Sequence, residues 1–408
     1  MNTRQISKIL HDNDFVHESG TPEELKVAEY IMARCEEMGV TPHLEGFEVD
    51  MADVTFSKLT ADGVDIPCEG FRLCGSGEVE APFLYMPSTD PDSIAKAKGK
   101  IVLLDSGLTH FVFQDLYAAG VAGIITYTGN VFWRDNDIDH KELRGYVSLG
   151  KKKLAVNINA KSAAKLVRMN PKTVKISVKQ DEFKGESHNV VAEIPGESDE
   201  FIVLSAHYDT TYLSHGSYDN LTGSIGLLGI MDELRNKKHH YGLRFVWCGS
   251  EERGLLGSKA YAAAHEEELK EKCVLNVNID MIGSLMGKLM AIGSAEDAVV
   301  SYLKYLAAEV GVVLDARAGV GSTDSTSFAD KGVPAVTFGR MAPQNQATIH
   351  VRYDTIKVLS MDNILADLKF IAEFTRRMAD AARCPVSRKI PDTIKKQLDE
   401  YLNRVRKD

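Results

Sequence analysis

The sequence predicts an α/β protein: a mixed, mostly parallel central sheet flanked by helices, with a small β-rich domain inserted into it. Three observations predict this. Downstream of residue 186, apolar strand-like runs alternate with helical segments, the grammar of a layered sheet with helices on its faces. Between 50 and 185 the pattern changes to short β-like runs separated by Gly and Asp turns. The first 48 residues read as helical, so 50–185 stands as a separate small β-rich domain between 1–49 and 186–408. A chain of 408 residues is in any case too long for one ordinary core.

Residues 1–48 read as helical. Thr21-Pro22-Glu23-Glu24 is a helix start, with Thr as N-cap, Pro at the first helical position and Glu at the third. Leu25, Val27, Ala28, Ile31, Met32, Cys35 and Met38 follow at helical spacing, and Gly39 stands where a stop is expected. In the inserted stretch, Phe83–Met86, Ile101–Leu104 and Gly123–Tyr127 read as strands, with a helical piece near Phe113–Ala119. Beyond it the strand candidates are Asn189–Ile194, Phe201–Ala206, Leu243–Cys248, Val274–Ile279, Leu289–Ile292 and Val333–Phe338. The helix candidates are Leu221–Arg235, Asp297–Val310 and Met361–Ala382. Residues 393–406 form a last amphipathic helix that packs on the core or on a second copy of the chain, so a homo-oligomer is compatible with the sequence.

Bulk properties exclude several classes. Hydrophobic content of 44% and charged content of 26% fit a globular protein rather than a fibre or a disordered chain. A net charge of −10 without a dense basic block argues against nucleic acid as a partner. No run of 18 apolar residues exists, so no membrane span is expected, and the N-terminal stretch lacks the apolar run of a signal peptide. Six cysteines without a Cys-x-x-Cys pair read as reduced thiols, and the expected location is the cytoplasm.

Chemistry concentrates at the ends of the predicted strands. In open α/β sheets, sites form at the carboxyl ends of strands. The run Phe201–Ala206 ends in His207-Tyr208-Asp209; alternate residues of an extended chain point the same way, so Asp209 can bond the far nitrogen of His207 and fix its tautomer for a metal. Asp219 stands in a turn before a small-residue helix, where an N-cap is its ordinary role. Glu251 and Glu252 follow another strand, where adjacent carboxylates point apart. Asp280 closes a third apolar strand, and burying it is costly unless it is paired or holds a cation. His350 lies in a polar loop far downstream.

Each residue alone has an ordinary explanation. Together, two His and three carboxylates make a mixed nitrogen/oxygen set suited to Zn²⁺, with Co²⁺ or Mn²⁺ as substitutes. Five ligands exceed one tetrahedral ion and fit two ions sharing a bridging carboxylate. Such a site polarises a carbonyl and acidifies a shared water, and the spare carboxylate, Glu251, can take that water's proton.

The set His207-x-Asp209, Gly216-x-x-Asp219-Asn220, Glu251-Glu252, Asp280 and His350 resembles the co-catalytic zinc aminopeptidases of metallopeptidase family twenty-eight. The resemblance implies a zinc-exopeptidase fold and hydrolysis of the N-terminal peptide bond of peptides. It implies that His207 and Asp280 hold one of two zinc ions, that Glu252 and His350 hold the other, and that Asp219 bridges them. Glu251 is then the general base, and Asp209 orients His207. The stretch 50–185 is similar to a protease-associated domain, and its tethering on both sides suits a wall of the substrate cleft. Two departures stand out: Ile349 replaces a Tyr found before the last ligand in some relatives, and Val351 replaces a following Thr. Gly321–Ser325 resembles the family's Ser-Asp loop, which marks Asp324 as a neighbour of the site. The runner-up is another exopeptidase of the same fold, a carboxypeptidase or dipeptidase, with Arg340 or Arg352 holding a free carboxylate. A one-zinc glutaminyl cyclase and a non-catalytic binding protein are the remaining alternatives.

Overall fold

The computed structural model describes residues 1–344 and 346–407. The chain divides into two compact units, one of Met1–Val49 with Glu186–Asp408 and one of Asp50–Gly185.

The larger unit is built on a mixed sheet in the order Leu314–Ala318, Lys288–Ser294, Ala335–Met341, Cys273–Ile279, Phe201–His207, Gly242–Cys248 and the end of Thr173–Ile194. Its four middle strands run parallel, in the pairs Gly242–Cys248 with Phe201–His207, Phe201–His207 with Cys273–Ile279, and Cys273–Ile279 with Ala335–Met341. Antiparallel neighbours flank them on both sides. Every residue of Phe201–His207 and Cys273–Ile279 is buried, as expected for strands covered on both faces, which read as continuous rather than alternating apolar runs.

Helix Thr222–Leu234 explains the small residues noted in the sequence. It is buried along nearly its whole length. A Cβ at Gly229 would come within 2.1 Å of Leu368 Cδ1, from helix Met361–Asp380, so glycine there sets how closely the two helices pack. Helix Pro22–Glu37 starts on Thr21, whose side chain accepts the Glu24 N–H, and ends before Gly39 at φ +76°. The last helix, Asp392–Tyr401, buries Ile394 and Leu398 beside Ala329, Ala335 and Ile390 of the same chain.

One expectation fails at the N-terminal end: residues 42–48 are not helical but open a strand, Pro42–Ala61. Alternating charged residues after Pro42 suit an extended chain, and the helical spacing stops at Gly39. Strand Leu314–Ala318 was not anticipated either; with only Ala316 buried, it carries almost no apolar signal.

The smaller unit has its own core, centred on Ile101–Leu104, Ile124, Ile125, Val156 and Ile158. Its strands Gly77–Met86, Ile101–Leu104, Gly123–Thr128 and Ala155–Asn159 run parallel in that order. Helices His110–Ala119 and Ala160–Met169 accompany them, so the unit contains more helix than its β-rich sequence pattern suggests. Among the described residues, no helix is long and apolar enough to cross a membrane.

Candidate active site

The parallel arrangement of the middle strands brings their carboxyl ends to one edge of the larger unit. His207 is the last residue of its strand, Asp280 directly follows Cys273–Ile279, and Glu251 and Glu252 lie in the turn after Gly242–Cys248. Asp219 sits in the turn before Thr222–Leu234, and His350 lies in the loop beyond Ala335–Met341.

Two groups of ligating atoms result. In one, His207, Asp219 and Asp280 each offer an atom within 4.8 Å of the others; in the other, Asp219, Glu252 and His350 do the same. Asp219 belongs to both. Its Oδ1 lies 3.2 Å from His207 Nε2 and its Oδ2 lies 3.2 Å from His350 Nε2. Glu252 Oε2 is 3.1 Å from His350 Nε2, and Asp280 Oδ1 is 3.8 Å from His207 Nε2. Glu251 stands beside the groups, with Oε2 4.0 Å from His207 Nε2. The side chain of His350 is 44% exposed, against at most 12% for the other members, so His350 marks the open side.

This donor set fits divalent cations. Four carboxylates and the His207 imidazole crowd a largely buried space that His350 closes on its open side, and Glu252 Oε1 and Asp280 Oδ1 are buried there without a hydrogen-bond partner. Such atoms are costly to bury unless paired or coordinating. Nitrogen and oxygen donors in two groups of three, sharing one carboxylate, match the chemistry of Zn²⁺.

A layer of hydrogen bonds holds these residues in place. The carboxylate of Asp209 accepts the N–H groups of Glu251 at 2.8 Å and Glu252 at 3.1 Å. His207 Nδ1 lies 3.3 Å from the Asp209 carbonyl and 3.5 Å from its Oδ1. Asp209 therefore grips the glutamate turn more closely than it grips the imidazole for which the sequence nominated it. Asn220, next to Asp219, ties that turn to the residues on either side of Asp280: its Nδ2 donates to Ile279 O at 3.0 Å, and its Oδ1 accepts from Met281 N at 3.0 Å and Gly223 N at 2.9 Å. Gly223 has no room for a side chain, since a Cβ would meet Ile279 O at 2.4 Å. Asp354, to which the sequence gave no role, accepts from Tyr218 N at 2.8 Å and from Asp219 N and Ser214 Oγ at 3.2 Å. It fixes the turn that carries the shared carboxylate. Only its place four residues after His350 hinted at this.

Electrostatics reflect the crowding. Burial raises the pKa of Glu251 well above the ordinary carboxylate range; His207 opposes this, while Glu252, Asp324 and Asp280 add to it. Burial likewise raises Glu252 and Asp280. For Asp219 the burial penalty is outweighed by His207 and His350, and the pKa is lowered. Burial pushes His207 down, but Glu251, Asp209, Asp219 and Asp280 carry it well above its usual value. Positive charge placed among these groups inverts such shifts.

Asp324 is fully buried, and neither of its carboxylate oxygens has a hydrogen-bond partner. Burial pushes its pKa from 3.8 up to about 7. The folded state then binds this proton more tightly than the unfolded chain does. Stability contributed by the protonated form is present at low pH and is lost as pH rises from about 4 through about 7. In zinc-stripped protein, Asp324→Asn is expected to raise the unfolding midpoint at pH 8 and to give little or no gain at pH 4. Thermal melts at both pH values check this, and equal gains at the two would contradict it.

Arg340, one of the two arginines considered for a substrate carboxylate, is committed elsewhere. Its Nε and Nη2 contact Asp367 at 2.8 and 2.6 Å, and its Nη1 donates to Gly287 O at 3.0 Å.

Residues 189–375 match Peptidase family M28. Leucine aminopeptidase 2 of Trichophyton rubrum is 29% identical over 258 residues, covering 60% of this chain and 51% of its own length. The chain thus spans about half the length of that relative. Aminopeptidase YwaD of Bacillus subtilis is 23% identical over 407 residues, covering 96% of this chain and 86% of its own. Among solved structures, BSAP, a zinc aminopeptidase from Bacillus subtilis, superposes with a TM-score of 0.76 at 22% identity, over 91% of this chain and 94% of that one. The mixed α/β fold, with its central sheet flanked by helices, is shared with that zinc aminopeptidase structure.

Proposed function

We propose that this chain is a two-zinc aminopeptidase of the M28 type, which hydrolyses the N-terminal peptide bond of peptides with a free N-terminus. The observation that carries the reading is the pair of three-residue ligand groups joined by one buried carboxylate, Asp219, with Glu251 beside them. In this reading His207 and Asp280 hold one ion, Glu252 and His350 the other, and Asp219 both. The ions, when bound, supply the charge that polarises the scissile carbonyl and acidifies a water shared between them.

The chain's own residues do the rest. Glu251 takes the proton of the attacking water on its carboxylate and returns it to the amine nitrogen of the leaving peptide. Its place beside both ligand groups, with Oε2 4.0 Å from His207 Nε2, suits both halves of that exchange. Asp209 positions Glu251 and Glu252 through their N–H groups, and Asp354 positions Asp219.

The runner-up, a carboxypeptidase or dipeptidase, needs a cation for the substrate's terminal carboxylate, and the commitment of Arg340 to Asp367 counts against one of the two arginines considered for it. We read Met1–Val49 with Glu186–Asp408 as the peptidase unit and Asp50–Gly185 as a protease-associated-like unit, in a cytoplasmic protein with reduced thiols.

Zinc-loaded, desalted protein should contain two zinc ions per chain by elemental analysis, with Co²⁺ or Mn²⁺ able to restore activity after chelation. It should cleave aminoacyl-arylamides and free-amino peptides and leave N-blocked peptides intact. A content fixed at one under saturating zinc, with cyclisation of N-terminal glutamine, would turn the reading to a glutaminyl cyclase. Cleavage of N-blocked peptides from the carboxyl end would favour the carboxypeptidase.

A further inference from the structure

The helix start Thr21-Pro22-Glu23-Glu24 predicts a reciprocal cap, in which the third-position Glu turns back to the N–H of the N-cap residue. Half of that cap forms: Thr21 Oγ1 accepts the Glu24 N–H at 3.3 Å. The other half does not. The Thr21 N–H donates to Glu18 O, and the Glu24 carboxylate is directed into the peptidase unit instead. Its Oε1 accepts from Ser187 Oγ at 2.8 Å and from Ser250 N at 3.1 Å, and its Oε2 accepts from Gly20 N at 2.7 Å.

Ser250 immediately precedes Glu251. Two carboxylates from separate segments therefore hold three consecutive N–H groups: Glu24 takes that of Ser250, and Asp209 takes those of Glu251 and Glu252. Both acids are buried. Ser250 adopts φ +55°, a left-handed conformation that few residues other than glycine take up without support. Ser19 supplies further support, with its Oγ in a short hydrogen bond to Ser250 Oγ. The neighbouring Gly249 is packed against the same group, since a Cβ there would lie 2.9 Å from Glu24 Oε1 and 2.6 Å from both Ser187 Oγ and His188 O. The turn has little freedom to move while Glu24 stays in place.

We infer that Glu24 is a positioning residue for the reaction proposed above: with Asp209, it clamps the backbone of the turn that aims the Glu251 carboxylate. Two buried acids near each other are costly to place, and burial with the nearby Asp209 pushes the Glu24 pKa up to about 8. The three hydrogen bonds to the Glu24 carboxylate oppose that cost without cancelling it, and what they fix is the turn carrying the base. The inference rests on the peptidase reading for its catalytic consequence and on the geometry alone for the clamp.

Glu24→Gln tests it. The amide offers one acceptor oxygen in place of two, so either Gly20 N–H or Ser250 N–H loses its partner. Displacing a reacting group by about 1 Å can cost on the order of 10²-fold, and kcat in zinc-loaded protein is expected to fall roughly 10- to 100-fold. KM for an aminoacyl-arylamide and zinc per chain should stay within about twofold of wild type, because no substrate or metal contact is altered. Amide hydrogen exchange of the peptide spanning 249–254 should become faster. An unchanged kcat per zinc-loaded molecule, or unchanged exchange in that peptide, would overturn the proposal, even if the melting temperature fell. Should Glu24→Gln fail to fold, Glu24→Asp keeps the charge and shortens the side chain, which withdraws the carboxylate from the Ser250 N–H. A several-fold fall in its kcat at constant KM supports the clamp, and wild-type kcat and exchange in that variant would refute it. If the wild-type chain hydrolyses no peptide, the peptidase reading fails, and the exchange comparison still decides whether Glu24 holds the turn.

Discussion

Glu251→Gln is expected to abolish measurable turnover while zinc per chain remains at the wild-type level. General-base catalysis is typically worth roughly 10²–10⁴-fold, and an amide can neither take the water's proton nor deliver one to the leaving amine. The residue belongs to neither of the two ligand groups, so its replacement leaves the donors in place. The fold should tolerate the change as well. The Glu251 N–H, which Asp209 holds at 2.8 Å, does not depend on the side chain. The change gives up the attraction between the Glu251 carboxylate and His207 and relieves its repulsion with Glu252, Asp324 and Asp280, so the net cost to the fold should be small. Glu252→Gln is the control, one residue away. Its Oε2 lies 3.1 Å from His350 Nε2 and its Oε1 is buried without a partner, so its loss should show first in zinc content. Elemental analysis and kcat, measured on both variants under saturating zinc, check the pair. If Glu251→Gln lost zinc and Glu252→Gln kept it, the two roles would be inverted.

That contrast between adjacent glutamates shows what the sequence could carry. Strand ends were legible because the middle strands are buried on both faces and read as unbroken apolar runs, each stopped by a residue that cannot be buried unaided. His207, Asp280 and the Glu251-Glu252 pair are therefore visible as breaks in a pattern. His350 is different. It lies in a loop that follows no periodicity, and it gained weight only as a second His beside the strand-end carboxylates and through the resemblance to a family. The hydrogen-bonding layer was hardly legible at all. Asp354 and Glu24 act on backbone N–H groups more than one hundred residues away in the chain. An acceptor for a distant backbone donor leaves no mark on its own neighbours. Glu24 shows this most clearly, because its local signal is genuine and points elsewhere: a helix cap is predicted, half of it forms, and tertiary structure takes the carboxylate. Asp209 was found for a partly different reason from the one that holds. The extended-chain argument aimed it at His207, and the structure places its two oxygens chiefly on the glutamate turn.

Asp219→Asn is expected to remove both zinc ions, whereas Asp280→Asn and Glu252→Gln should each weaken one. Asp219 is the only residue common to the two ligand groups, with one oxygen 3.2 Å from His207 Nε2 and the other 3.2 Å from His350 Nε2. An amide keeps one oxygen donor and replaces the other with an NH₂ that cannot ligate. It also removes a negative charge from between two imidazoles and two cation sites. Replacing an outer partner of a metal ligand typically costs roughly 10–100-fold in affinity, and loss of a shared ligand should exceed that at both positions. Activity should fall with the zinc and return only in part at high zinc concentration. The loss should not come from unfolding. The turn is held through its backbone, by Asp354 on the N–H groups of Tyr218 and Asp219 and by Asn220 on Ile279 and Met281. In zinc-free buffer the variant should melt somewhat below zinc-stripped wild type, because the charge that His207 and His350 favour is gone, and its melting temperature should rise less on zinc addition, since a ligand stabilises only as far as it binds the folded state. Zinc titrations followed by calorimetry separate the cases. Two weakened sites in Asp219→Asn, against one weakened and one near-normal site in Asp280→Asn, is the pattern a shared carboxylate requires. A single tight zinc retained by Asp219→Asn would mean that the carboxylate serves one ion and that the groups around His207 and His350 act separately.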